Sequence, residues 1–150
     1  MCCEVQFLQR LRERGLRLTP QREMVLRALH EVDSHATAEE IYARVSTQSA
    51  AVDLSTVYRT VELLQDLRLL STIELPDGQR AYELIGVHGP HHHLQCRRCG
   101  RLSRIEPEAV QPLVETLRES YGFAAEPDHL VIAGLCEACQ RQEVIGQAAG

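Results

Sequence analysis

The sequence has no hydrophobic run approaching the roughly 18 residues that a membrane-spanning helix requires. Its first residues, MCCEVQFLQRLRERG, also lack the apolar stretch of a secretory signal and lead directly into charged, helix-like sequence. Internal repeats and low-complexity segments are likewise missing. These absences predict a globular protein of the cytoplasm without a membrane partner. A length of 150 residues suits one ordinary domain or two small ones.

A disulfide framework is not expected either, because the cytosol is reducing. Clustered cysteines among the six in this chain therefore indicate metal or redox chemistry. Cys2 and Cys3 have no partner pattern, and we interpret them as ordinary terminal residues.

Lysine is absent, so all 16 basic residues are arginine, and the net charge is -5. Bulk charge thus argues weakly against nucleic-acid binding. Six of the arginines nevertheless lie within residues 8–30, opposed only by Glu13 and Glu23. Such a basic stripe fits either a local binding surface or a solvated helix face, and charge alone leaves both interpretations open.

Helix signals dominate the first half of the chain. Four helices are predicted, over residues 5–14, 19–31, 37–45 and 53–70. Thr19 is the expected N-cap of the second helix, followed by Pro20 at its first position. Thr37 and Glu40 have the spacing of a capping box at the third.

The fourth helix has one apolar face and one polar face. Val57, Val61 and Leu64 point inward on a helical wheel. The residues that point outward are Ser55, Arg59, Glu62 and Asp66. Two β-prone runs then flank Pro76-Asp77-Gly78 and predict a hairpin. This order is that of a winged helix-turn-helix, in which the last helix enters the major groove; a small helical bundle with no nucleic-acid role is the alternative.

The segment IGVHGP, residues 85–90, is a predicted hinge because two glycines and a proline interrupt both the helical and the strand periodicity. Beyond it lie the β-prone HHHLQC and RLSRI, a helix predicted over 107–121, and the strand-like HLVIAGLC. The overall class is α+β. We divide the chain into a winged-helix domain (1–84), a hinge (85–90), a small α+β domain (91–140) and a tail (141–150).

Four cysteines form two CxxC pairs, with 36 residues between them. They are Cys96, Cys99, Cys136 and Cys139. Each CxxC turn presents two sulfur atoms on one side, so two such turns can close a tetrahedral structural zinc site. A thioredoxin-like redox pair is the alternative, but that motif needs only one pair, at a helix N-terminus.

Three consecutive histidines precede the first CxxC pair. If residues 91–96 form a strand, His91 and His93 project to one side and His92 to the other. Two imidazoles on one face can hold one ion that His92 does not reach. The pattern therefore predicts that thiols and imidazoles bind different ions, although single histidines are more often ordinary surface or core residues.

Six motifs together resemble the ferric uptake regulator (Fur) superfamily of metal-responsive transcription factors. They are GLRLTPQR, HATAEEIY, LSTVYRT, DGQRAYEL, HHHLQCRRCG and GLCEAC, which occur in family order and span most of the chain. The resemblance implies a winged-helix DNA-binding domain, a dimerisation domain with a four-cysteine zinc, and a regulatory metal at the hinge.

Besides the four-cysteine zinc, the resemblance implies ligands for the regulatory site and for one accessory site. The regulatory ligands matched in this sequence are His35, Glu83, His91, His93 and Glu106. The family's acidic ligand usually lies five residues after the second cysteine, where this chain has Arg104, so Glu106 is expected to reach the site through a local bulge or shift. A weaker match, an accessory site, groups His92, Glu108 and His129.

For DNA, the resemblance implies contacts from Tyr58 and Arg59 on the recognition helix and from Arg17 near the minor groove. Ser55 and Thr56, at the start of the same helix, are also expected to contact DNA. The expected function is a homodimeric repressor that binds a pseudo-palindromic operator in double-stranded DNA.

The resemblance favours Fe(II) as the regulatory metal, with Zn(II) or Mn(II) as alternatives because nitrogen and oxygen ligands accept all three. Zinc sensing is one alternative function, and peroxide sensing by iron-catalysed histidine oxidation is another because that branch of the family resembles this chain. A zinc-dependent hydrolase is a remote one, since nothing in the sequence supplies a substrate pocket, and we do not expect an enzyme.

Overall fold

The computed structural model describes residues 2–87 and 89–148. The chain forms two structural units, Met1–Val87 and His88–Gly150, and their boundary falls within the segment predicted as a hinge. Across the described residues, no helix combines the length and the apolar character needed to cross a bilayer.

The N-terminal unit has the predicted winged helix-turn-helix fold. Its helices are α1 (Cys2–Glu13), α2 (Pro20–His30), α3 (Ala38–Ser46) and α4 (Leu54–Asp66). Its strands are β1 (Ala36–Thr37), β2 (Leu70–Glu74) and β3 (Arg80–Leu84), which form an antiparallel sheet in the order β1-β3-β2. The predicted hairpin joins β2 to β3, and Gly78 supplies the positive φ of 83° that its turn requires.

The predicted helix starts of α2 and α3 are confirmed. The Thr19 hydroxyl accepts a hydrogen bond from the backbone N–H of Arg22 at 3.3 Å. Thr37 and Glu40 form a reciprocal capping box, with bonds of 2.8 and 3.2 Å. Each bond satisfies an N–H that the first helical turn leaves without an intrahelical partner.

Helix α4 buries the face that its periodicity predicts. Val57, Val61 and Leu64 lie in the core of the unit, together with Leu11 from α1 and Ile41 from α3. Ser55, Arg59, Glu62 and Asp66 are exposed. The packing therefore holds α4 rigidly and leaves its polar face open.

Two arginines of the basic stripe make hydrogen bonds within the protein. Arg10 donates to the carbonyl oxygens of Leu67 and Arg68, and Arg14 donates to that of Asp66 at 3.2 Å. The C-terminal end of a helix carries carbonyl groups that accept no intrahelical hydrogen bond, and it also carries a partial negative charge. An arginine side chain satisfies these carbonyl groups and offsets the charge. The stripe is thus in part structural, because it ties α1 to the end of α4.

The C-terminal unit is built on a second three-stranded sheet. Its strands are β4 (His92–Cys96), β5 (Leu102–Ile105) and β6 (Val131–Gly134), in the order β5-β4-β6. Strand β4 pairs antiparallel with β5 and parallel with β6. Its helices are α5 (Gln111–Tyr121) and α6 (Glu137–Ala148).

Two predicted elements of this unit differ in the structure. The helix predicted over 107–121 is divided into a 3-10 turn, Pro107–Ala109, and α5. Pro112 has no N–H for the ladder of a continuous helix, but it fits the first turn of α5, where no donor is needed. The predicted tail, 141–150, is helical as far as Ala148 because α6 continues through it.

Candidate functional site

The four cysteines of the two CxxC pairs lie together at one edge of the C-terminal sheet. Cys96 ends β4, and Cys136 follows the end of β6 by two residues. Because β4 and β6 are parallel, their carboxyl ends meet at the same edge. The four Sγ atoms lie within 4.8 Å of one another, and those of Cys99 and Cys136 are 3.8 Å apart. Tetrahedral zinc with Zn–S bonds of about 2.3 Å separates its sulfur ligands by about 3.8 Å, so the geometry fits this ion.

The electrostatics of the cluster also favour a cation. Backbone N–H groups of Cys136 and Cys99 point at the sulfur of Cys96 and lower the pKa of that thiol to about 6. Burial, together with the neighbouring thiols, raises the pKa of Cys139 to about 12. Four thiols this close cannot all ionise unless a positive charge lies between them. A bound zinc ion would supply that charge and thereby displace the protons.

Three imidazoles form a second cluster within the C-terminal unit. The ring centroids of His91 and His93 are 4.8 Å apart, and that of His129 lies 4.9 Å from His91 and 4.8 Å from His93. Nδ1 of His91 donates to the carbonyl oxygen of Gly89 at 2.8 Å. A carbonyl only accepts, so this bond assigns the proton to Nδ1 and leaves Nε2 as the nitrogen that can bind a metal.

His92 faces away from this cluster, as strand alternation predicts, and it has a bond of its own. Its Nδ1 accepts the backbone N–H of Leu130 at 3.0 Å, which ties β4 to the segment before β6. Burial lowers the pKa of His92, with smaller contributions from His129 and His91. The neutral ring therefore acts as a hydrogen-bond acceptor.

The predicted accessory site is not assembled in the described part of the chain. His129 packs against His91 and His93 instead of joining His92 and Glu108. Glu108 is exposed on the 3-10 turn. The parallel pairing of β4 with β6 explains the difference, because it brings the residue before Leu130 to the face that carries His93.

In the N-terminal unit, His35 and Glu83 form a buried pair. His35 immediately precedes β1, and Glu83 lies on β3, to which β1 is paired. Nδ1 of His35 lies 3.6 Å from Oε2 of Glu83, and their side chains are only 1% and 3% exposed. One nitrogen and one carboxylate donor are thereby held together, as the resemblance implies for two ligands of one ion.

Glu106 is not brought to the histidines. Strand β5 pairs with β4 in regular register, with Arg104 opposite His93, so the bulge expected to move Glu106 into place is absent. The Glu106 side chain is 69% exposed, and its Oε1 lies 3.7 Å from Nε of Arg104.

The exposed face of α4 presents the predicted DNA contacts. Tyr58 is 40% exposed, and its hydroxyl donates to Oε1 of Glu39 at 2.8 Å, a bond that raises the pKa of the phenol. Arg59 lines a groove together with Arg22, Thr19, Thr56 and Thr60. The sequence placed Arg22 only in the basic stripe and did not identify Glu39, because the proximity of both residues to α4 depends on how the helices pack.

Ser55 and Thr56 are already engaged at the start of α4. Their hydroxyl groups donate to Oδ1 of Asp53 at 2.9 and 2.7 Å. The hydrogen bonds from Thr56 are the main reason that the pKa of Asp53 falls to about 2. Phosphate oxygens only accept hydrogen bonds, so these hydroxyls would have to leave the cap before donating to DNA. Arg17 is exposed, and its carbonyl oxygen accepts a bond from the Arg22 guanidinium at 3.1 Å.

Comparison with known proteins places these features in one family. The ferric uptake regulator family profile matches residues 13–133. The ferric uptake regulation protein of Bacillus subtilis (strain 168) is 35% identical over 138 residues, covering 90% of this chain and 93% of the relative. The protein of the same name from Synechococcus elongatus is 35% identical over 136 residues, covering 89% and 92%.

Among solved structures, the Helicobacter pylori ferric uptake regulator, described as having three functional metal binding sites, matches with a TM-score of 0.74. It is 24% identical, and the match covers 93% of this chain and 95% of that one, which shows a common fold. Because the family profile spans both structural units and the sequence relatives align over nearly their whole length, this chain belongs to the ferric uptake regulator family.

Proposed function

We propose that this protein is a metal-responsive transcriptional repressor that binds double-stranded DNA as a homodimer when Fe(II) occupies its regulatory site. The observation that carries the proposal is the presence of metal-binding side chains in each structural unit, His35 with Glu83 in one and the histidine cluster in the other. A winged helix with an exposed recognition face belongs to the same chain.

We propose that the regulatory ion takes ligands from both units, namely His35, Glu83, His91 and His93. Taken alone, the pair His35 and Glu83 or the pair His91 and His93 offers two donors, fewer than the four of a tetrahedral shell or the six of an octahedral one. An ion bound this way stabilises only arrangements of the units in which both donor groups reach it. Each tenfold preference of the metal for such an arrangement corresponds to about 1.4 kcal/mol, so a modest preference is enough to shift DNA binding.

Two copies of the chain would present two α4 helices to successive major grooves of a pseudo-palindromic operator. Arg59 can donate to guanine edges or phosphates, and Tyr58 extends the same face. For the dimer contact we propose the sheet face that carries Leu94 and Ile132. These residues are register partners on β4 and β6, and they are 42% and 43% exposed, on the side opposite His93.

The choice of metal rests on ligand chemistry and on family membership. The proposed regulatory ligands are nitrogen and oxygen donors, which Fe(II), Mn(II) and Zn(II) all accept. The sulfur donors are gathered in the separate four-cysteine cluster, which suits zinc as a structural ion. We therefore assign zinc to the cysteines and Fe(II) to the regulatory site, with zinc sensing as the second candidate.

Metal analysis combined with DNA binding tests this function. Purified protein is expected to contain one tightly held zinc per chain. Under anaerobic conditions, Fe(II) should raise its affinity for a DNA fragment selected from random sequence by the metal-loaded protein. Parallel titrations with Mn(II) and Zn(II) identify the preferred ion. DNA binding that is unchanged by all three metals would contradict the proposal.

Arg59→Ala is expected to weaken binding to the selected DNA by about 1–3 kcal/mol if the guanidinium reads a base. Metal content and dimerisation should not change, because Arg59 lies on the exposed face of α4. Arg118→Ala is the matched control, since it removes the same charge from an exposed position on α5. Equal affinities of wild type and Arg59→Ala, measured by fluorescence anisotropy, would show that α4 is not the reading helix.

A further inference from the structure

We propose that His129 is a ligand of the regulatory ion, in place of the carboxylate that the family resemblance predicts near Arg104. This inference rests on the proposed function, because it concerns the ligand set of the same ion. It also changes the chemistry of that site, since a neutral imidazole replaces an anionic ligand.

Strand register places His129 on the ligand-bearing face. In the parallel pair, His93 is the partner of Val131. Two residues earlier on each side, His91 and His129 fall at the same level, and side chains two residues apart point to the same face of a sheet. The ring contacts agree with this register, because His129 lies against both His91 and His93.

The backbone of the residue that follows His129 is held by two hydrogen bonds. Leu130 donates its N–H to His92 and accepts the N–H of His93 at 2.8 Å. His129 is therefore anchored directly beside the histidine strand. Ring nitrogens of His93 and His129 lie within 4.8 Å of one another. Two imidazole ligands on a tetrahedral ion with bonds of about 2.1 Å are separated by about 3.4 Å, so small side-chain rotations bring both to one ion.

The alternatives to His129 are weaker in this chain. Arg104 lies opposite His93 but cannot serve as a ligand, since its guanidinium has donors only. Glu106 is exposed and pairs with Arg104. His129 would therefore supply the metal ligand that is missing at position 104, where the family usually has a carboxylate.

An imidazole-rich ligand set has a predictable metal preference. Carboxylate and water ligands suit Mn(II), whereas imidazole suits Fe, Ni, Cu and Zn. With Glu83 as the single carboxylate, the site should bind Mn(II) poorly relative to Fe(II), Co(II) and Zn(II). The ion that this site would bind is thus a divalent metal ion with a preference for nitrogen donors.

Co(II) titration of the full chain, with the four-cysteine zinc retained, tests the assignment through the visible d–d spectrum and competition with a chelator. His129→Phe keeps an aromatic ring but removes both nitrogens. We expect it to weaken Co(II) binding at least about tenfold, the lower range for loss of even an outer-shell partner of a metal ligand. Glu106→Gln and His30→Ala, an exposed histidine on α2, should bind Co(II) as wild type does. Zinc content and circular dichroism verify folding, and His129→Ala gives a second variant.

Wild-type Co(II) affinity in both His129 variants, or weakening by Glu106→Gln instead, would overturn the assignment. DNA binding in the same samples separates this result from the proposed function. If Co(II) binds through His129 but leaves DNA affinity unchanged, the regulatory function fails while the ligand assignment stands. If Co(II) raises DNA affinity equally in wild type and His129→Phe, the function stands and the assignment fails.

Discussion

The Cys99→Ser variant is expected to lose its zinc and to unfold the C-terminal unit. Cys99 is exposed, and serine is close to it in size, so the change removes a ligand without opening a cavity. Structural zinc binding supplies an apparent free energy of about 10–16 kcal/mol, comparable to or larger than the roughly 5–15 kcal/mol that stabilises a whole domain. Loss of the ion should therefore outweigh the remaining contacts of this small unit.

The N-terminal unit should remain folded in the same variant, because it has its own core around Leu11, Ile41 and Leu64. Zinc content by mass spectrometry and urea unfolding monitored by circular dichroism check both expectations. Cys3→Ser is the control, since Cys3 lies outside both CxxC pairs. A Cys99→Ser protein with full zinc content and an unchanged unfolding curve would refute the four-cysteine site.

His93→Ala is expected to reduce metal-activated DNA binding to the level of the metal-free protein. His93 is one of the three members of the histidine cluster and contacts both His91 and His129. The four-cysteine zinc should stay in place, because its ligands start at the other end of β4. DNA affinity with and without Fe(II), together with zinc content, measures both parts of this result.

His92→Ala is the adjacent comparison, and its expected defect is one of stability. It leaves the Leu130 N–H without its acceptor, at a cost of about 1–3 kcal/mol, while the metal response is retained. His92→Asn places an amide oxygen near Nδ1 and should recover much of that stability. Equal loss of the metal response in His92→Ala and His93→Ala would show that strand alternation does not separate their roles.

Local signals explain which features were predictable from the sequence. Thr19, the Thr37 and Glu40 pair, and the Val57, Val61 and Leu64 stripe act within one helix, so neighbouring residues determine the outcome. The two CxxC pairs are similarly self-contained, because each turn already presents two sulfurs. Winged-helix order and the two sulfurs of each CxxC turn both follow from such short-range patterns, whereas the meeting of the two turns depends on the pairing of β4 with β6.

Features that depend on long-range pairing were not predictable. The position of His129 depends on the register of β6 against β4, which a sequence pattern does not encode. The expected bulge at Glu106 was inferred by matching family spacing, but β5 keeps regular pairing. Helix α6 was missed because its apolar residues, such as Val144 and Ile145, are exposed and form no buried stripe.

Parallel strands β4 and β6 can pair only after the intervening β5 and α5 have folded back, since a parallel pair requires a long crossover. Closing such a loop costs chain entropy before the contacts it permits are formed, which slows folding. Zinc bound first by Cys96 and Cys99 would then bind Cys136 and Cys139, and this would speed the closure of the loop between the two pairs. If the four cysteines hold zinc, as we propose, the yield of folded regulator would depend on the zinc available during synthesis, and zinc starvation would limit the amount of a protein whose proposed signal is iron.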